Sequence, residues 1–135
     1  MSGNQTIFQN AAPVFLVGDI EQATEFYEEV LGFEKKWSWP DGRSGDPVIR
    51  IGLAPANTSN MGDFEIHLIE NPMGGPSGTS FIYFTVKNVE QIYENCQKAG
   101  ADIYLELGDR DWGMNDFRVL DPFGNRLGFG EPLKR

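Results

Sequence analysis

"VGDIEQ" at Val17–Gln22 and "VKNVEQ" at Val86–Gln91 are one pattern written twice, 69 positions apart. Each begins on the last residue of a short apolar run, "PVFLV" in the first case and "FIYFTV" in the second. Each then opens an amphipathic stretch. Asp19 is a helix N-cap residue with Gln22 three positions on as its reciprocal partner, and Asn88 with Gln91 repeats the arrangement. Ile20, Ala23, Tyr27, Val30 and Leu31 follow at helical spacing, as do Val89, Ile92, Tyr93, Cys96 and Ala99. Gly32 and Gly100 are natural stops. A strand feeding a helix thus occurs twice, so one supersecondary unit accounts for both halves.

Outward from each helix the periodicity changes from helical to strand-like. The first half predicts strands at Glu34–Trp39, Val48–Leu53 and Phe64–Glu70, separated by the turn-rich "PDGRSGDP" and "PANTSNMGD". The second predicts strands at Asp102–Leu107, Phe117–Leu120 and Arg126–Phe129, with "DPFGN" closing the last hairpin. Each half is therefore βαβββ, module one at 11–72 and module two at 79–131. Between them "MGGPSGTS" is rich in glycine, but it lacks a P-loop lysine and leads into a strand, which makes it a linker and not a phosphate cradle. Residues 1–10 are a polar lead-in. The expected architecture is α+β, a single domain over 11–135.

The 135 residues suit one domain with a real core. Ten Phe, four Tyr and three Trp exceed what so small a core needs, so some rings are free to line a pocket. A net charge of −9 argues against nucleic acid and against an anionic membrane surface, and favours cationic ligands. The lone Cys96 lies on the apolar stripe of the second helix and reads as a buried, inert thiol. No apolar run spans a bilayer and no signal-peptide pattern opens the chain, so the expected location is cytoplasmic.

Two βαβββ units, the helix end "FYEEVLGF" and the turn "DPFGN" resemble the vicinal oxygen chelate superfamily of glyoxalases, extradiol dioxygenases and fosfomycin- and bleomycin-resistance proteins. "DWGMNDFRVLDPFGNRLGF" looks most like the bleomycin-resistance branch. The resemblance implies a cup-shaped mixed sheet with the helices on its outer face. It also implies four metal-ligand positions in the metal-dependent members, which fall here on Ala12, His67, Phe81 and Gly128. Three of these four side chains offer no donor, and a divalent ion needs several converging N or O atoms. The expectation is accordingly that no metal and no cofactor is held.

Strand alternation divides cup-facing from helix-facing side chains. It sends Glu65, His67 and Ile69 to the cup, and likewise Phe81, Tyr83, Asp116 and Arg118. Two tryptophans on the helix side would crowd the core, so Trp37 and Trp39 are assigned to the cup as a stacking wall. Trp112, in the loop before the seventh strand, overhangs the mouth. His67 is either bonded to a neighbour across the sheet or a polar contact to a ligand; as a metal ligand it would need Glu65, Glu131 or a second chain. Arg118 is placed either to grip a ligand carboxylate or to pair with Glu65 or Asp116.

An aromatic cup without a metal set points to a small-molecule binding protein that sequesters a cationic or planar aromatic compound. The family likeness adds a homodimer with its clefts between two chains. Two rivals stand beside it. One is a metal-dependent glyoxalase-like lyase or isomerase, or a dioxygenase, with an atypical ligand set including His67. The other is an accessory subunit whose cup is vestigial and whose aromatic face meets a partner protein.

Overall fold

The structure is a computed structural model that describes residues 5–7, 9, 11–41, 43, 45–57, 64–70, 78 and 80–134. Most of the polar lead-in and of the glycine-rich linker therefore lies outside the described residues. The chain runs β1 (Val14–Val17), α1 (Ile20–Glu25), a π-helical turn (Phe26–Val30), β2 (Phe33–Trp39), β3 (Arg50–Pro55) and β4 (Ile66–Glu70). It continues through β5 (Phe81–Thr85), α2 (Val89–Lys98), β6 (Asp102–Asp109), β7 (Met114–Leu120) and β8 (Arg126–Pro132). Both halves are βαβββ.

Each module folds into its own four-stranded mixed sheet, ordered β1-β4-β3-β2 and β5-β8-β7-β6. In both, the strand before the helix pairs in parallel with the last strand, and the other pairs are antiparallel. The register repeats as faithfully as the sequence. Val14 lies opposite His67 as Tyr83 lies opposite Gly128, and Val14 and Tyr83 are again 69 positions apart. His67 and Gly128 are thus equivalent places in the two modules, as are Gly52 and Arg118 on the neighbouring strands.

The helix-facing side of each sheet is the core. Phe15, Val17, Ile51, Leu53, Ile66 and Leu68 are buried in module one, and Phe84, Phe117, Val119, Leu127 and Phe129 in module two. Phe84, Phe117 and Phe129 stack in series, and Phe33 meets Phe84 edge-on, so a single core crosses the module boundary. Fully burying one such side chain contributes roughly 1.5–3 kcal/mol. Cys96 is buried on α2 as expected, and burial pushes its thiol pKa up to about 12, well away from thiolate chemistry.

Three local expectations need correction. Asp19 caps α1 by accepting from the Gln22 backbone N–H at 3.1 Å, but Asn88 does not cap α2. Its backbone is left-handed (φ 61°), and the Glu131 carboxylate of β8 accepts from the Val89 N–H instead, at 3.1 Å. The first helix does not stay α to its end but widens into the π turn. Ala99, placed on the apolar stripe, is exposed.

Candidate functional site

On the cup side of module one, four side chains interlock. Trp37 and His67 flank Gly52, which pairs with both across neighbouring strands. The absent side chain at Gly52 leaves a slot, and a Cβ built there would fall inside the Trp37 indole. The indole lies across the slot and meets the imidazole edge-on, centroids 4.8 Å apart. Its Nε1–H donates to Glu65 Oε1 at 2.9 Å, and the same oxygen is 3.5 Å from His67 Nε2. On the other side Arg50 Nη2 is 3.0 Å from His67 Nδ1. A guanidinium only donates, so Nδ1 accepts and the neutral ring carries its proton on Nε2, toward Glu65. Trp39 stands beyond this cluster, 60 % exposed. A bulge at Lys36 sets the order: Lys35 pairs with Leu53 and Trp37 with Gly52, which puts both tryptophans on the cup side and Lys35 on the other.

Module two builds its cup face differently. Gly128 and Gly130 leave the floor of β8 bare, and the Tyr83 ring from β5 lies over both. Its hydroxyl donates to Asp116 Oδ2 at 2.8 Å. Asp116 is fully buried, and Arg110 takes its other oxygen at 2.7 Å while bonding the Asp116 carbonyl at 3.0 Å. Asp116 therefore faces the cup but is sealed beneath Tyr83, where it fixes the phenol. Burial first, and the Asp116 bond second, raise the Tyr83 pKa, so the phenol stays protonated at neutral pH. Trp112 and Arg118 act on the same hydroxyl in the opposite sense. Arg118 takes neither of its expected carboxylate partners. Its guanidinium lies over the Phe81 ring, 5.3 Å from the centroid. Phe81 and Trp112 are 49 % and 59 % exposed.

Of the nine residues singled out in the sequence, the structure gathers Trp37, Glu65 and His67 into one bonded cluster. It brings Tyr83, Asp116 and Trp112 into a second, with Phe81 and Arg118 as a stacked pair beside it. Trp39 is an exposed ring outside both clusters. Two arginines escaped the sequence reading. Arg50 was detectable, since it shares the parity of Gly52 on an otherwise apolar strand. Arg110 sits in the "DRDWG" loop, where no periodicity marks it.

The register tests the four family metal positions. Ala12 and Phe81 are 69 apart, and His67 and Gly128 hold equivalent places, so the assignment is internally symmetric. Its side chains do not fit a divalent ion: the set offers one imidazole, already bonded to Arg50, together with an alanine, a phenylalanine and a glycine. Among the described residues no three His, Cys, Asp or Glu side chains gather closely enough to hold one.

Two cavities lie away from the cup face. One of about 560 Å³ lies over α1 and is lined by Glu21, Glu25, Glu28, Glu29 and Glu70 with Lys35; another of about 1040 Å³ opens between the modules beside Phe64, Phe84 and Gln91. No helix among the described residues is long and apolar enough to cross a membrane.

The profile of the Glyoxalase/Bleomycin resistance protein/Dioxygenase superfamily matches residues 11–129. The chain belongs to that superfamily. An uncharacterized protein of Mycobacterium bovis is 26 % identical over 128 residues, 91 % of this chain and 83 % of its own length. Among solved structures, TioX from a Micromonospora species superposes with a TM-score of 0.72 at 20 % identity, covering 92 % of this chain and all of that one. TnmS3, described as an antibiotic binding protein from a Streptomyces species, gives 0.70 at 22 % identity over 94 % and 99 % of the two chains. A superfamily member from Sphaerobacter thermophilus gives 0.72 at 21 %, over 93 % and 98 %. At these identities the superpositions establish the fold.

Proposed function

We propose that this superfamily member is a metal-free binding protein that sequesters a planar aromatic small molecule on its cup face and catalyses no reaction there. The observation that carries this reading is the pairing of free rings with immobilised ones. Trp39, Phe81 and Trp112 are exposed on or beside the cup face, while Trp37 and Tyr83 are held flat against glycine floors by hydrogen bonds to Glu65 and Asp116. A surface of fixed rings loses little entropy on stacking a flat guest, each contact being worth roughly 0.5–1.5 kcal/mol beyond the area it buries. The antibiotic binding described for TnmS3 agrees with such a use of the fold. We further propose that two chains combine, because the single chain leaves the large rings of Trp39, Phe81 and Trp112 exposed on or beside the cup face. The donor chemistry supports the absence of a metal: His67 is engaged by Arg50, and its three companion positions carry no ligand atoms.

Binding is measured by quenching of tryptophan fluorescence and by thermal shift across a panel of planar antibiotics and dyes. Trp39→Ala should weaken binding of the best compound about tenfold and leave the melting temperature unchanged, since the ring is mostly in solvent. Elemental analysis of protein purified without chelator should find no stoichiometric transition metal, and His67→Ala should not alter metal content. A bound ion that disappears in His67→Ala would sink this reading.

A further inference from the structure

The net charge of the chain suggests a cationic guest, but the cup side of module two carries the opposite sign. Of the carboxylates on that face Asp116 is nearest Arg118 along β7 and Arg110 already neutralises it, while Asp102 lies opposite Leu120 at the far end. Arg118 lies opposite Gly128 on that face, and Arg126 occupies the next cup-facing place along β8. Arg118 Nε is buried and has no hydrogen-bond partner among the described residues. An arginine donor withdrawn from water and left unmade is costly, typically by about 1–3 kcal/mol for a neutral group and more for a charged one. Structures keep such a donor where something else completes it.

We propose that Arg118 is the anchor for an anionic group, a carboxylate in the simplest case, on the aromatic compound bound by the cup. This rests on the cup face being the ring-binding surface. The geometry allows both contacts at once. Arg118 carries its guanidinium over the Phe81 ring, whereas guanidinium hydrogen bonds lie in its plane, so a guest that enters beside Phe81 and uncovers Nε meets a fork that no carboxylate among the described residues takes. Gly128, opposite Arg118, carries no side chain, so the Tyr83 ring packs directly onto it with Phe81 alongside. The Tyr83 hydroxyl is already committed to Asp116 and does not compete. A ring bearing an acid group can lie along Phe81 and Tyr83 while its carboxylate meets Arg118. The acidic exterior would slow the approach of such a guest, but only over the distance that salt leaves unscreened.

Three probes of one shape separate this inference from the one it rests on. 2-Naphthoate, 2-naphthamide and 2-naphthylmethylammonium are titrated by calorimetry and tryptophan fluorescence near neutral pH. Naphthoate should bind about tenfold or more tighter than the amide, and the ammonium weakest, as a charge-assisted bond to Arg118 requires. Arg118→Gln should erase the acid-over-amide preference, the ratio of naphthoate to naphthamide affinity falling to about one. Arg118→Lys should restore only part of it, because a point charge lacks the fork. Circular dichroism and the melting temperature confirm that each variant is folded; if Arg118→Gln is not, Arg118→Lys against the wild type carries the comparison. Equal binding of all three probes overturns the anion anchor and leaves the aromatic cup standing. Tightest binding of the ammonium overturns it in favour of a cationic guest. No binding of any probe at millimolar concentration overturns both.

Discussion

Gly52 decides where the Trp37 ring goes. Any side chain at that position would occupy the volume of the indole, and Glu65 Oε1 lies only 2.8 Å from where a Cβ would sit. Gly52→Ala should therefore expel the ring and break its bond to Glu65. The destabilisation should be about 1–3 kcal/mol in urea melts, the usual range for overpacking, with a red-shifted tryptophan emission. Gly128→Ala offers a matched test on the other sheet, where the new Cβ would sit 2.7 Å from Tyr83 Cδ2. These positions show how far a residue can be read from sequence. Alternation placed His67, Tyr83 and Arg118 on the cup side, since parity depends only on the strand, and the crowding of two tryptophans placed Trp37 there. It said nothing of what each would bond, because those partners come from other strands: Glu65 for Trp37, Arg50 for His67, Asp116 for Tyr83.

At the scale of elements, the two helices look alike in sequence and begin differently. Asp19 and Asn88 are both good capping residues, yet the left-handed backbone at Asn88 gives its side chain no cap bond. The substitute, Glu131, lies 42 residues away and no local pattern points to it. The N–H groups of Val89 and Asn88 lower the Glu131 pKa below its ordinary 4.5. A depressed carboxylate contributes stability above its unfolded pKa and loses it as pH falls through the folded one. Glu131→Ala should then speed amide exchange at Val89 near neutral pH, and its stability should fall less steeply than the wild type's below about pH 4.5. Asn88→Ala tests the backbone alone: it should cost about 1–2 kcal/mol from left-handed strain, while Asn88→Gly should not. The π turn has a comparable explanation. Ala23, Tyr27 and Leu31 are all buried in steps of four, which outrun an α-helix of 3.6 residues per turn and lag a wider π turn. Their combination keeps the stripe on one face. The spacing was visible, but not how the backbone accommodates it.

For the whole molecule, the two stretches that carry the family likeness turn out to bond to each other. Tyr27 of "FYEEVLGF" donates to Asp121 Oδ2 of "DPFGN" at 3.0 Å, across 94 residues. Asp121 also receives the backbone N–H groups of Phe123 and Asn125 and the Asn125 side-chain amide. Asn125 in turn donates to the Leu16 carbonyl at the end of β1 and accepts from the Ser80 N–H before β5. A turn that reads locally as hairpin chemistry is thus the rivet between modules, and its bonds to Tyr27 and to the Leu16 carbonyl form only when both halves are folded. Burial foremost, then the Asp121 charge, raises the Tyr27 pKa well above its ordinary 10.0. A raised pKa of this kind means that stability is fully present below the unfolded value and is lost as pH climbs through it toward the folded one, because the unfolded chain releases its proton first. Tyr27→Phe should accordingly lose about 1 kcal/mol at neutral pH, the usual value of one hydrogen bond, and show a shallower loss of stability above about pH 10. Tyr83→Phe serves as the control, since the Tyr83 pKa is raised too but its bond lies within module two. If Tyr27 and Asp121 join the modules, Tyr27→Phe should also spread the urea transition when core probes in each module are followed separately, and Tyr83→Phe should leave the two transitions coincident. Coincident transitions in both variants, with an unchanged alkaline slope, would show that the aromatic core across the boundary holds the modules together without the rivet.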